Sequence, residues 1–149
     1  MVFKKIAMKQ RLKEKLLSYL VHNNPDLMIR LQEGNSVSEY LEGKVNSIMQ
    51  TAEHLFEGGK PLYQIEEWCM NEMTADLKPS RYRYILSVIE EEFPKEYERM
   101  RENGTLTYEA LNMTKACRDI FEEFDFKIDN EDNRHLRYAI IGQIHDYLL

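Results

Sequence analysis

The stretch LSYLVHNNPDLMIRLQEGNS, residues 17–36, decides the fold, because it combines a helix, a break, a short helix and a turn. Proline disfavours the α conformation in the residue before it, so Pro25 ends one helix and opens the next. Gly34 then stops the second helix. Ser36 and Glu39 have the spacing of a capping box, which predicts that a third helix begins there.

The same order of signals returns in LSVIEEEFPKEYERMRENGT, residues 86–105. A shift of 69 residues places Pro25 on Pro94 and Ser36 on Thr105. Self-similarity at a fixed period is typical of repeated structural units. We interpret the chain as two pseudo-repeats, with a coincidental match between two helix–proline–helix segments as the alternative. The predicted repeats span about 9–75 and 79–149.

Apolar residues recur at helical spacing along the rest of the chain. The sequence predicts an all-α, multihelical single domain over residues 1–149, built from two units of three to four helices each. Residues 1–8 are expected to form a basic and frayed arm. Thr107 is the predicted N-cap of the seventh helix. Helices are expected at about 9–22, 26–32, 40–56, 62–73, 80–93, 95–102, 108–124 and 136–148.

Composition places the chain among globular proteins. It has 149 residues, of which 43% are hydrophobic, with only 6 glycines and 4 prolines. No segment approaches 18 apolar residues, which predicts no membrane span. Two cysteines without a CxxC motif or a secretory signal favour reduced thiols and a cytoplasmic location.

Charge is unevenly distributed, although the formal net charge is −6. The first 15 residues hold six basic residues against Glu14, a net charge of +5. This segment indicates either an arm that contacts nucleic acid or anionic lipid, or a solvated first helical turn. We favour the second interpretation, because the arm has little apolar area to bury.

Motifs for metal, nucleotide or covalent chemistry are absent from the sequence. The acidic loop 125–133 lacks the glycine and the glutamate that an EF-hand needs. Gly58–Lys60 lacks the spacing of a P-loop and is typical of a helix end. We therefore predict a non-enzymatic protein that needs no cofactor and no metal.

Two segments interleave arginine with tyrosine, at 81–84 and 134–138. Such mixtures can follow a phosphate backbone and stack on bases. However, neighbouring acids such as Glu131 and Asp132 would offset the charge, and a pI of about 5.3 is unusual for a nucleic-acid-binding domain. The candidate nucleic-acid contacts are Lys4, Lys5, Lys9, Arg11, Arg81 and Arg83.

Three apolar residues lie beside the main stripes of their helices. Tyr84 and Val88 form an i, i+4 pair, and Trp68 flanks the stripe of its own helix. They either pack within the chain or mark an exposed patch for a partner. The second possibility makes Trp68, Tyr84 and Val88 the candidate interface of a homodimer.

With these residues in view, the chain resembles a family of small, acidic, helical proteins from Bacteroides-like bacteria, catalogued as domain of unknown function 1896. Its members are found near conjugative and mobile elements, so the resemblance implies an accessory role. It implies no activity, cofactor or functional residue, and residues 1–8 have no counterpart in it. The resemblance rests on Leu17-x-Tyr19-Leu20, Asn24-Pro25-Asp26-Leu27, Gly59-x-Pro61-Leu62, Glu91-Glu92-Phe93 and the helix Leu136 to Leu148.

The sequence thus favours a non-enzymatic helical accessory protein that binds a protein partner and forms a homodimer in the cytoplasm. Two alternatives remain open at this point. One is a nucleic-acid-associated regulator that uses the basic arm and the arginine–tyrosine segments. The other is an enzyme whose active site has no local motif.

Overall fold

The computed structural model describes the backbone of residues 2–149 and the side chains from Lys5 onward. Its contacts divide the chain into two compact units, one ending at Leu77 and one spanning Lys78–Leu149. No strand occurs in the described residues, so the all-α prediction is confirmed. Each described helix is too short or too polar to span a bilayer.

The first unit consists of four helices and a short 3-10 turn. Its first helix packs against all three others, and the third and fourth helices pack against each other. The elements are α1 (Val2–Asn23), α2 (Pro25–Glu33), α3 (Val37–Glu57), α4 (Leu62–Thr74) and the turn Ala75–Leu77.

The core of the first unit is built from one stripe of each long helix. Leu12, Leu16 and Leu20 of α1 are fully buried, as expected for residues spaced four apart on one helical face. They share a cluster with the buried side chains of α3 and α4. These are Leu41, Val45, Ile48, Met49, Ala52, Ile65, Cys69 and Met73.

The second unit consists of five helices. Its first helix packs against the second, third and fifth, which gives this unit its own closed core. The elements are α5 (Arg81–Glu92), α6 (Pro94–Glu102), α7 (Leu106–Ala116), α8 (Arg118–Glu123), the 3-10 turn Ile128–Asn130 and α9 (Arg134–Leu148). The buried residues are Tyr82, Ile85, Val88, Ile89, Met100, Ala110, Met113, Cys117, Phe121, Leu136, Ile140 and Ile144.

Both units contain the same turn after their short second helix. In the first unit Asn35 has φ of 52°, and in the second Gly104 has φ of 73°. The next residue donates its backbone N–H to the carbonyl five residues earlier in each case, from Ser36 to Leu31 at 2.9 Å and from Thr105 at 2.9 Å. This pattern is a Schellman motif, which closes a helix by satisfying its last carbonyls.

Two predicted helix caps are wrong. The Ser36 side chain accepts no capping bond, and its hydroxyl donates to the Leu31 carbonyl at 3.3 Å, so the predicted capping box does not form. The seventh helix begins at Leu106, which makes Thr105 and not Thr107 the residue at its N-cap. In both cases the hydroxyl is occupied by the preceding turn.

The predicted seventh helix is interrupted at Cys117. The backbone there has ψ of 3°, and the N–H of Cys117 is shared between the carbonyls of Met113 and Thr114. Helix α8 restarts at Arg118 in a new direction of hydrogen bonding, with Phe121 donating to the Cys117 carbonyl at 3.0 Å. The break brings Cys117 and Phe121 together into the core.

The basic arm is helical rather than frayed over residues 2–8. Two contacts tie it down, since Met8 is buried and Lys5 forms an ion pair with Glu53 of α3 at 2.7 Å. The arm is therefore a continuation of α1.

Candidate functional site

A polar cleft in the second unit is the candidate site. It lies where the start of α5, the loop before α9 and the first turn of α9 meet, and it encloses about 450 Å³. We call it the Tyr84 cleft. It is lined by Ser80, Arg83, Tyr84, Ser87, Glu91, Glu131, Asp132 and Arg137.

Helix α5 supplies one wall of the cleft. Tyr84, Ser87 and Glu91 are spaced at i, i+3 and i+7, which places them on one helical face. Ser80 caps the helix, accepting a hydrogen bond from the backbone N–H of Arg83 at 3.1 Å. A capped first turn fixes the direction in which this face points.

Aromatic contacts hold the Tyr84 ring in the wall. It meets Phe121 edge to face, with ring centroids 5.7 Å apart, and Phe126 at 5.1 Å. Phe126 is brought back onto Phe121 by a second left-handed turn, in which Asp125 has φ of 49°. Edge-to-face pairs are favourable beyond the area they bury, so this trio positions Tyr84 firmly.

The Tyr84 hydroxyl oxygen is buried at the cleft and has no hydrogen-bond partner among the described groups. Burial raises the pKa of Tyr84 above its ordinary value. Arg137 opposes this shift, whereas the negative charges of Asp132 and Glu131 add to it. The tyrosine therefore stays neutral and can both donate and accept a hydrogen bond.

Arg137 forms the opposite wall and is held by two carboxylates of α5. Its Nη2 donates to Glu91 Oε2 at 2.6 Å and to Glu92 Oε1 at 3.1 Å. The Arg137 side chain is only 29% exposed, so this ion pair is partly removed from solvent. It joins α9 to the end of α5 and sets the width of the cleft.

Three further charges line the cleft without a partner of opposite sign. Glu131 and Asp132 lie in the loop before α9, and Arg83 lies on α5. No ion pair within 4.0 Å involves any of these three side chains within the described part of the chain. The cleft thus has unengaged groups of both signs, with carboxylates in the majority.

The residues predicted as a partner interface are mostly inside the protein. Val88 is fully buried in the core of the second unit and offers nothing to a partner. Tyr84 packs against the same core through its ring. Trp68 is partly buried against the core of the first unit. For Val88 and the Tyr84 ring, packing within the chain is the correct alternative, because α5 is enclosed by α7 and α9 on this side.

The basic residues of α1 are neutralised within their own unit. Arg11 and Lys15 both pair with Glu66 of α4, Lys15 at 3.0 Å, and the Glu66 side chain is only 5% exposed. Lys13 pairs with Glu42 of α3 and lowers the pKa of that carboxyl.

The remaining candidate nucleic-acid contacts do not form one surface with a common character. Lys9 is partly buried, and the Lys4 side chain lies outside the described residues. The Arg81 guanidinium lies 5.3 Å from the centre of the Phe121 ring. Only Arg83 lines the Tyr84 cleft. The structure thus divides the candidate contacts among ion pairs, an aromatic contact and the cleft.

Sequence reasoning identified part of the Tyr84 cleft and missed the rest. Both arginine–tyrosine segments reach it, through Tyr84 and Arg137. The contributions of Ser87 and Glu91 were missed, although their spacing from Tyr84 along α5 was a usable signal. Among the described residues, no group of three or more His, Cys, Asp and Glu side chains could hold a metal ion.

A smaller hollow of about 220 Å³ lies between the end of α6, the start of α7 and the end of α9. Its polar groups already satisfy one another, since the Tyr147 hydroxyl donates to Glu109 Oε2 at 2.5 Å. It is a weaker candidate than the Tyr84 cleft.

Comparisons with known proteins place the chain in a family. Searches of curated proteins and of solved structures each gave no match. The sequence profile of one family matches residues 10–146, which is nearly the whole chain and both structural units. The chain belongs to the family described as a domain of unknown function, DUF1896.

Proposed function

We propose that the chain is a non-enzymatic binding module that engages a partner protein at the Tyr84 cleft. The observation that carries the proposal is the buried Tyr84 hydroxyl, which has no hydrogen-bond partner among the described groups. A buried polar group without a partner costs roughly 1–3 kcal/mol, so a ligand that supplies the missing bond gains affinity. The cleft also has charged groups at its edge that can steer and orient a partner.

The lining favours binding over chemistry. The described side chains around the cleft include no histidine and no cysteine, the residues most used as general base and strong nucleophile. Its two serine hydroxyls belong to α5, where Ser80 caps the helix and Ser87 donates to the Tyr84 carbonyl at 2.7 Å. These contacts support a positioning role for both residues.

A site-specific photo-crosslinker tests this proposal in cells that produce the protein. Introduced in place of Arg83, it should yield a discrete crosslinked protein that disappears when Tyr84→Phe is added. Introduced in place of Tyr108, which is 66% exposed and outside the cleft, it should not yield that product. The same products from both positions would contradict the proposal.

Homodimer formation is a further part of the proposal, and the start of α4 supports it. Leu62 is 46% exposed and Tyr63 is 67% exposed, so two adjacent apolar side chains face solvent in the first unit. Burying such side chains is the usual source of association energy. Light scattering should therefore show a dimer that Leu62→Ser weakens and that Ile128→Ser, at a comparably exposed residue of the other unit, leaves intact.

We also propose that the two units arose by duplication and that the protein works in the cytoplasm. The equivalent turns at Asn35 and Gly104, 69 residues apart, support the duplication. The thiols of Cys69 and Cys117 are free and buried, which suits a reducing compartment. An accessory role near mobile elements is compatible with a binding module.

The nucleic-acid alternative has less support than protein binding. Lys5, Arg11, Lys13 and Lys15 each pair with a carboxylate of α3 or α4. Phosphate contacts would have to break these pairs, which lowers the affinity gained from releasing counterions. The Tyr84 cleft, with three carboxylates among its lining residues, would repel a phosphate backbone.

A further inference from the structure

We propose that the Tyr84 cleft binds a guanidinium group, supplied by an arginine side chain of the partner protein. This inference rests on the proposed function, since it names the chemistry that the binding module recognises. It follows from an arrangement already present in one wall of the cleft, a second arrangement of the same kind left without a cation, and a buried oxygen beside them.

One wall of the cleft already binds a guanidinium. Arg137 donates to two carboxylates that are adjacent in sequence, Glu91 and Glu92, at 2.6 and 3.1 Å. The planar guanidinium has five N–H donors in a fixed fork, which suits two neighbouring carboxylates better than a single ammonium does. Adjacent acidic residues at this cleft therefore form a workable guanidinium site.

A second pair of adjacent carboxylates lines the same cleft without a cation. Glu131 and Asp132 precede α9 and have no ion pair within 4.0 Å in the described part of the chain. Both act on the Tyr84 hydroxyl electrostatically, which places them close to the buried oxygen. An incoming guanidinium would thus meet two carboxylates and one phenol oxygen that can accept a hydrogen bond.

The balance of charge selects a cation over an anion. Three carboxylates and two guanidiniums line the cleft, and Arg137 is already engaged by Glu91 and Glu92. Arg83 is then the single cation of the lining without a carboxylate partner. We infer that Arg83 competes with the ligand for Glu131 and Asp132, so its removal should strengthen binding of a cation and weaken binding of an anion.

Nuclear magnetic resonance titration of the full chain tests the inference. The guanidinium probe is N-acetyl-L-argininamide, with N-acetyl-L-lysinamide as the ammonium probe and inorganic phosphate as the anion. The argininamide should give saturable shift changes at Tyr84 and Ser87. Its affinity should exceed that of the lysinamide by about threefold or more, because charge-assisted bidentate bonds favour the planar group.

Substitutions then separate the cleft from general charge. Asp132→Asn should weaken argininamide binding by about threefold or more, and Arg83→Ala should strengthen it. Asp129→Asn is the matched control, because Asp129 lies in the same loop but does not line the cleft. The amide spectrum of each variant shows whether it is folded. Equal weakening by Asp129→Asn and Asp132→Asn, or weakening by Arg83→Ala, would overturn the inference.

Two further outcomes distinguish the inference from the proposed function. If argininamide gives no saturable shifts while the crosslink from position 83 persists, the guanidinium site is wrong and the binding module stands. If the crosslink is absent and argininamide still binds, the partner protein is wrong. Free arginine binding more tightly than the blocked argininamide would assign the cleft to a small molecule and overturn the partner side chain as the source.

Discussion

Asn35 and Gly104 occupy the same position in two turns with the same hydrogen bonds, and both have a left-handed backbone. Their φ angles are 52° and 73°. Only glycine adopts this conformation without steric cost, because other L-residues bring Cβ too close to the following carbonyl. One unit thus has the favoured residue in this turn, and the other has asparagine, which tolerates the conformation better than most.

Asn35→Gly should stabilise the first unit by about 0.5–1 kcal/mol, because it removes the steric cost at φ of 52°. Gly104→Ala should destabilise the second unit by about 1–2 kcal/mol for the converse reason. A Cβ at Gly104 would meet no heavy atom within 4 Å, so the backbone conformation alone sets that cost. Chemical denaturation measures both, and a neutral Gly104→Ala would contradict the assignment.

Gly43→Ala and Gly142→Ala should each stabilise the protein by about 0.5–1 kcal/mol. Both glycines lie inside helices, α3 and α9, where glycine is less favourable than alanine because it loses more backbone freedom on folding. A Cβ added at either residue meets no heavy atom within 4 Å. Thermal denaturation should show a raised Tm for both variants. A lowered Tm would mean that something packs against these helix faces.

Removing both cations beside Glu66 should cost more stability than removing the carboxylate. Arg11→Ala with Lys15→Ala leaves a carboxylate that is 5% exposed without a counter-charge, and we expect a loss of about 3 kcal/mol. Glu66→Leu leaves two cations that reach solvent, at 58% and 44% exposure, and should be close to neutral. Urea denaturation of the two variants compares them directly, and the reverse order would contradict this account.

Alkaline pH should destabilise both units through their buried thiols. Burial raises the pKa of Cys69 to about 11 and of Cys117 to about 12, from an ordinary value of 9.0. The unfolded chain therefore ionises first. The stability that comes from keeping these thiols neutral is complete below pH 9.0 and is lost as the pH rises towards the folded values.

Cys117→Ala should flatten this dependence for the second unit while lowering its stability at neutral pH, since it leaves a small cavity. Free energies of unfolding, measured from neutral pH to about pH 10, provide the comparison. An unchanged slope in the variant would show that other groups cause the alkaline loss.

Helix boundaries next to proline and glycine could be predicted from the sequence because their causes are local. Pro25 and Pro94 open α2 and α6 as predicted, since a missing N–H and a fixed φ act regardless of tertiary contacts. The break at Cys117 could not be predicted. The apolar pattern continues across it, and the interruption is stabilised only by packing of Cys117 and Phe121 in the folded unit.

The Tyr84 cleft was partly foreseeable for the same reason. The arginine–tyrosine segments stand out in the sequence, but their convergence depends on how α5 and α9 pack. An apolar residue beside a main stripe, such as Val88, can meet a neighbouring helix or a partner, and only tertiary structure decides between them. The ion pairs of α1 with α3 and α4 join residues distant in sequence, which no local pattern specifies.

Trp68 has a practical consequence for observing the protein. It is the single tryptophan of the chain, and it packs against the core of the first unit. Its fluorescence therefore reports the melting of that unit, whereas circular dichroism reports helices of both. If the two signals change at different denaturant concentrations, the halves unfold as separate cooperative blocks, each visible in the same sample without any added label.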